Sequence, residues 1–83
     1  MFAADARLDF VLSEISLGIT FVQRAVTAYQ LGFYEHGDSA KANALEALRT
    51  AKRFIGHLDA EGQQIARAEL PKLERGLSAL FPV

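Results

Sequence analysis

The two histidines of the chain, His36 and His57, both stand close to carboxylates and are its first candidates for chemistry. His36 lies between Glu35 and Asp38, and His57 lies two residues before Asp59. Imidazole and carboxylate groups are ligands of Zn²⁺, but neither set has the H-E-x-x-H spacing that places two histidines on one helix face. Both sets fall at predicted turns. We therefore interpret the histidines as polar turn residues and expect no metal and no other cofactor.

The sequence also contains no motif typical of a catalytic nucleophile or of a phosphate-binding loop. None of the four serines stands in a G-x-S-x-G context, and "GFYEHGD" lacks both the P-loop lysine and the dinucleotide-binding spacing. The 83 residues include no cysteine, so disulfides and thiol nucleophiles are excluded. The sequence predicts a protein without catalytic residues.

Composition describes a small apolar domain of nearly balanced charge. Hydrophobic residues make up 51% of the chain and the net charge is −1. No signal-peptide pattern is present, and the longest apolar run is too short and interrupted for a membrane span. Absence of cysteine is compatible with a reducing compartment. We expect a cytoplasmic protein without membrane contact.

Apolar residues recur at three- and four-residue steps in three segments, which predicts an all-α fold. The expected helices cover about residues 5–34, 39–57 and 60–80. Short connections favour antiparallel neighbours, so residues 1–83 should form a single small three-helix bundle running up, down and up, with a long first helix. The predicted core face of helix 1 comprises Leu8, Val11, Leu12, Ile15, Ile19, Val22, Val26, Tyr29 and Phe33.

Glycine, proline and short polar residues predict where the helices begin and end. Gly37 should end helix 1 in a left-handed conformation, and Asp38 or Ser39 should cap helix 2. Asp59 is the predicted cap of helix 3. Pro71 lies in the middle of helix 3 and should kink it, with a break into two shorter helices as the alternative.

Helix 1 carries a second apolar stripe about 130° from the first, if each residue turns the helix by about 100°. This stripe carries Phe10, Leu17, Phe21, Ala25 and Ala28. Six residues along it follow a four-three spacing that resembles a heptad seam: Phe10, Glu14, Leu17, Phe21, Arg24 and Ala28. Pairing two copies antiparallel about Ile19 places Phe10 against Ala28, Leu17 against Phe21, and Glu14 against Arg24. Such self-complementarity is what a two-fold dimer requires. We predict a homodimer through this stripe. The alternative is that helix 1 is central in its own bundle, with helix 2 on one apolar face and helix 3 on the other.

A cluster of basic residues is predicted on the outer face of helix 2. It comprises Lys41, Arg49, Lys52 and Arg53, and it could bind phosphate or an acidic partner. The alternative function is therefore a small nucleic-acid-associated or regulatory protein. The negative net charge and the absence of a helix-turn-helix pattern argue against nucleic acid. A third reading, a small-molecule binder, needs a cavity beneath Tyr29, Phe33 and Phe54.

Residues 23–58 resemble a helical hairpin of the tetratricopeptide or microtubule-interacting and trafficking kind. "AYQLGFYEHGD" followed by "ALEALRTAKRFI" is similar to the A-x-x-Y, G-x-Y and A-x-x-A steps of those families. The spacing of Gly32 and Gly37 departs from the tetratricopeptide pattern, which places its two glycines seven residues apart. The resemblance implies a protein-binding scaffold with a groove for a partner helix or peptide. It assigns no individual site residues.

Overall fold

The computed structural model describes the backbone of residues 3–81 and the side chains of residues 6–81. This part of the chain is entirely helical, with α1 at Ala3–Gln30, α2 at Tyr34–Ile55 and α3 at Ala60–Ala79. The expected all-α three-helix bundle with a long first helix is confirmed. Contacts between the helices also establish its direction.

The three helices run up, down and up around a shared core. Phe10 near the start of α1 packs on Phe54 near the end of α2, so these two helices are antiparallel. Gly18 of α1 lies against Leu73 of α3, and Val22, one turn further along α1, lies against Gly76, so α1 and α3 are parallel. The core consists of apolar residues from all three helices and the second loop: Val11, Ile15, Val22, Ala44, Ala51, Ile55, Leu58, Ala66, Leu70, Leu73 and Leu77.

Small residues bring the helices close together. The inward face of α2 is built from alanines at residues 40, 44, 47 and 51, all buried. Gly18 of α1 lies where the three helices meet, because a Cβ there would stand 2.7 Å from Leu73 and 3.2 Å from Ala47. Larger side chains at these positions would separate the helix axes, so the close packing depends on them.

The turn between α1 and α2 differs from the sequence prediction. Helix α1 ends at Gln30, and Gly32 supplies the left-handed residue with φ +82°. The N–H of Gly32 donates to Tyr29 O at 3.1 Å and the N–H of Phe33 donates to Ala28 O at 2.8 Å. These are the two bonds of a Schellman ending. Gly37 was therefore wrongly predicted to end helix 1, because two glycines occur within six residues and the first one breaks the helix.

Helix α2 begins at Tyr34, five residues before the expected start. Its N-cap is Phe33, with no side-chain cap hydrogen bond, so the prediction that Asp38 or Ser39 caps this helix is wrong. The cap of α3 is confirmed, because Asp59 Oδ1 accepts from the N–H of Gly62 at 2.8 Å. Helix α2 ends at Ile55 rather than His57. Helix α3 remains one helix through Pro71, so the alternative of two shorter helices is wrong.

Candidate interaction surface

The inward face of α1 lies between the two apolar stripes that the sequence indicates. Its buried residues are Val11, Ile15, Gly18, Val22 and Ala25. At about 100° per residue, this face is turned by about 45° from the centre of the predicted core face and towards the second stripe. Gly18 lies against Leu73 of α3 and Ala47 of α2, and Ala25 is fully buried. A hydrophobicity pattern gives such small residues little weight, which explains the correction.

Two residues of the predicted core face of helix 1 are consequently exposed. Val26 is 38% exposed, and Phe33 lies in the turn rather than in the helix and is 56% exposed. Conversely, Ala25 of the second stripe is fully buried. The outer residues of each stripe lie at the two edges of the buried face and are exposed to solvent. We call these two edges the shoulders of α1.

The second shoulder carries all six residues of the predicted seam, which we call the α1 flank: Phe10, Glu14, Leu17, Phe21, Arg24 and Ala28. Phe10 and Leu17 are 44% and 46% exposed, and Arg24 is also exposed. The other three are half-buried, and Phe21 packs partly against the core. The flank thus keeps a continuous apolar stripe at the surface, with an acid and a base set within it.

A groove lies at the N-terminal end of the flank, and we call it the Phe10 groove. It has a volume of about 520 Å³ and is lined by Arg7, Phe10, Phe54 and His57. The rings of Phe10 and Phe54 meet edge to face with centroids 5.3 Å apart, while the His57 ring lies 5.8 Å from that of Phe54. Aromatic walls and two basic side chains make the groove apolar inside and polar at its edge.

A second concavity lies at the C-terminal end of the flank. It measures about 470 Å³, and we call it the Leu31 groove. Its lining includes Arg24 and Ala28 of the flank, and it is completed by Thr20, Gln23, Thr27, Leu31 and Phe33. Leu31 is 64% exposed. Sequence reasoning missed this residue, although its place just before a helix-ending glycine is a position that exposes a side chain.

The basic residues predicted on α2 are dispersed. Lys41 stands 11 residues before Lys52, which is about 16 Å along a helix, and it lies over the ring of Phe81 at 4.3 Å from the centroid. Lys52 pairs with Glu74 at 3.2 Å, and Arg49 lies 3.7 Å from Glu46. Arg49 and Arg53 share a surface depression, together with Glu46 and Thr50.

Tyr29 forms a polar cluster at the hairpin end. Its hydroxyl donates to Asp38 Oδ1 at 2.6 Å, so Asp38 holds a tyrosine rather than capping a helix. This hydrogen bond, followed by desolvation and by the charge of Asp38, raises the pKa of Tyr29 above its ordinary 10.0. A raised pKa means that the folded state holds the proton. The resulting stabilisation is therefore present at neutral pH and is lost as the pH rises through that pKa.

The three aromatic residues expected to roof a small-molecule cavity do not meet. Phe33 precedes α2 and Phe54 lies near its end, about 30 Å away along the helix, and Phe54 contacts Phe10 instead. His36 packs against Phe33, with ring centroids 6.2 Å apart. Within residues 6–81, no three His, Asp or Glu side chains gather as a metal site.

Helix α1 is long and apolar enough to cross a bilayer, judged by length and composition alone. Of its apolar window, 28% is buried inside the protein. Signal sequences and core helices pass the same test, so this property assigns no location. Most residues of this window are therefore not buried inside the bundle.

Comparison with known proteins returns no relative: no family model matches the chain, and neither the curated proteins nor the solved structures contain a significant match.

Proposed function

We propose that this chain is a non-enzymatic protein–protein interaction module that self-associates as an antiparallel homodimer through the α1 flank. The observation that carries the proposal is the apolar stripe of the flank, which stays at the surface after the three helices have packed. Phe10 and Leu17 are 44% and 46% exposed, although both are large apolar side chains that a second chain would bury favourably.

Complementarity within the flank supports a second copy as the partner. Antiparallel pairing about Ile19 sets the exposed Phe10 against the small Ala28, and Leu17 against Phe21. Glu14 of each copy meets Arg24 of the other, so the two-fold operation forms two ion pairs. An isologous interface needs this kind of pairing, in which each patch complements itself.

The shape of the molecule is consistent with the proposal. Its Cα radius of gyration is 13.8 Å and its principal extents are 44 × 25 × 15 Å. A compact chain of this length has a radius of about 12 Å. The bundle is therefore long and flat, so a flank along α1 offers a larger contact area than a sphere of equal mass.

Sedimentation equilibrium or light scattering over a concentration series tests the proposal. We expect the mass to rise from 9.1 kDa towards twice that value as concentration increases. Leu17→Glu should hold the mass at that of the monomer, because it buries a charge at the centre of the interface. Ser16→Glu is the matched control, since Ser16 is exposed on α1 away from the flank, and it should leave association unchanged.

A mass that stays at the monomer value at several hundred micromolar would contradict the proposal. Equal association of the Leu17 and Ser16 variants would instead place the interface elsewhere on the surface. Circular dichroism of both variants verifies that the helices remain folded.

A further inference from the structure

Leu31 carries an exposed apolar side chain on a stretch of backbone that hydrogen bonds hold in place. It is 64% exposed, yet its N–H donates to Thr27 O at 3.1 Å, so it continues the helical path of α1. The Schellman bonds of Gly32 and Phe33 fix the chain directly after it. The backbone that carries this projecting isobutyl group is already ordered, so binding need not order it, which favours Leu31 as an interface anchor.

The Phe10 groove has room for such an anchor and an apolar lining that suits it. Its volume of about 520 Å³ exceeds what a leucine side chain needs, and two aromatic rings form its walls. Arg7 and His57 line it as well, and both are exposed. An apolar side chain can contact the rings while these two basic groups remain in water at the edge.

The register of the proposed dimer brings the two features together. Pairing about Ile19 joins residues whose numbers sum to 38, as for Phe10 with Ala28 and Glu14 with Arg24. The same rule sets Leu31 opposite Arg7. Arg7 and Leu31 lie three residues beyond Phe10 and Ala28, so the register of the six flank residues extends to this pair.

We propose that, in the homodimer, Leu31 of each copy seats in the Phe10 groove of the other copy and completes that groove. The inference rests on the proposed homodimer and adds to it the anchor, the groove and the register. Residues 7 and 31 are separated by about 36 Å along α1. The two-fold operation therefore fills both grooves at once, one at each end of the interface.

Cysteine cross-linking tests the register, because the natural chain contains no cysteine. Leu31→Cys and His57→Cys are prepared separately, mixed and oxidised. We expect a disulfide-linked dimer in the mixture and little or none from either variant alone. Leu17→Cys mixed with Phe21→Cys serves as the reference for dimerisation itself, because these two positions face each other across the proposed interface.

The outcomes separate the two proposals. Cross-linking of Leu17→Cys with Phe21→Cys without the Leu31→Cys and His57→Cys product would overturn the groove inference and leave the dimer standing. Self-linked Leu31→Cys would indicate parallel helices and overturn both. A monomeric mass for the natural chain together with no cross-link at any position would also overturn both.

A truncation measures the contribution of the anchor. Leu31→Ala should raise the dimer dissociation constant about tenfold or more, because two apolar side chains leave the interface. Val26→Ala is the control, since Val26 is 38% exposed on the opposite shoulder of α1, and it should leave the constant unchanged. Equal constants for Leu31→Ala and the natural chain would overturn the inference. Circular dichroism checks that both variants are folded.

Discussion

Gly37 lets α1 and α2 meet at the hairpin end. A Cβ at this position would lie 2.5 Å from Cε1 of Tyr29, so the aromatic ring occupies the space that any other residue would need. The same ring carries the hydroxyl that donates to Asp38, one residue after Gly37. The absence of a side chain at Gly37 and the hydrogen bond to Asp38 therefore both fix the position of the Tyr29 ring.

Gly37→Ala should destabilise the protein through this contact. Overpacking of this kind costs about 1–3 kcal/mol, and it acts against the gain in helix propensity of about 1 kcal/mol. Gly56→Ala is the control, because nothing lies within 4 Å of a Cβ there and its φ is −63°. We expect the free energy of unfolding in urea to be about 1–3 kcal/mol lower for the Gly37 variant than for the Gly56 variant. Equal values would show that Tyr29 does not pack on Gly37.

The beginnings of α2 and α3 are built in different ways. Helix α3 starts at a side-chain cap, in which Asp59 accepts from Gly62 N–H, and Gln63 Nε2 also donates to Leu58 O at 3.0 Å. Helix α2 starts directly after the Schellman turn, without a side-chain cap. Its start is fixed by the turn of the preceding helix and by the packing of Tyr29.

Two alanine substitutions distinguish these beginnings. Asp59→Ala should lower the free energy of unfolding by about 1 kcal/mol, the usual effect of losing an N-cap. Ser39→Ala should leave it unchanged or raise it by a few tenths of a kcal/mol, because residue 39 lies inside α2 and alanine favours helix. Thermal or urea unfolding measures both. A loss at Ser39 as large as that at Asp59 would contradict a start at Tyr34.

The sequence predicted a helix boundary correctly where it offered a single candidate cap. Asp59 follows a break and precedes an apolar pattern, and its cap was predicted correctly. The sequence near the first turn contains Gly32, Gly37, Asp38 and Ser39, so several helix endings and caps were possible there. The Schellman bonds around Gly32 decide among them, and those bonds depend on backbone geometry that residue types alone do not specify.

The whole molecule leaves part of its longest helix outside the core. Three helices in a bundle 15 Å thick along its shortest extent cover one face of α1 and leave its two shoulders partly open. On the α1 flank, the remaining surface combines apolar side chains with Glu14 and Arg24. We expect these two charges to set the partner and the register more than the affinity.

Charge reversal tests that arrangement in the dimer. Glu14→Arg should weaken association about tenfold, because two attractive pairs of at most about 1 kcal/mol each become repulsive pairs. Adding Arg24→Glu should restore most of the affinity. Sedimentation equilibrium at low and high salt measures the effect, which should shrink as salt screens the charges. A double variant as weak as the single one would exclude the Glu14–Arg24 pairing.

The sequence by itself determined the class of the fold, the number of described helices, the cap of α3 and the presence of two apolar stripes on α1. These follow from periodicity and from local hydrogen bonding, which act within a few residues. The tertiary structure decided which face of α1 is buried, because Gly18 packs against Leu73 of α3 and Ala47 of α2. It also decided that Leu31 projects and that Phe10 meets Phe54. Such contacts join residues distant in sequence, so only the packed helices could determine them.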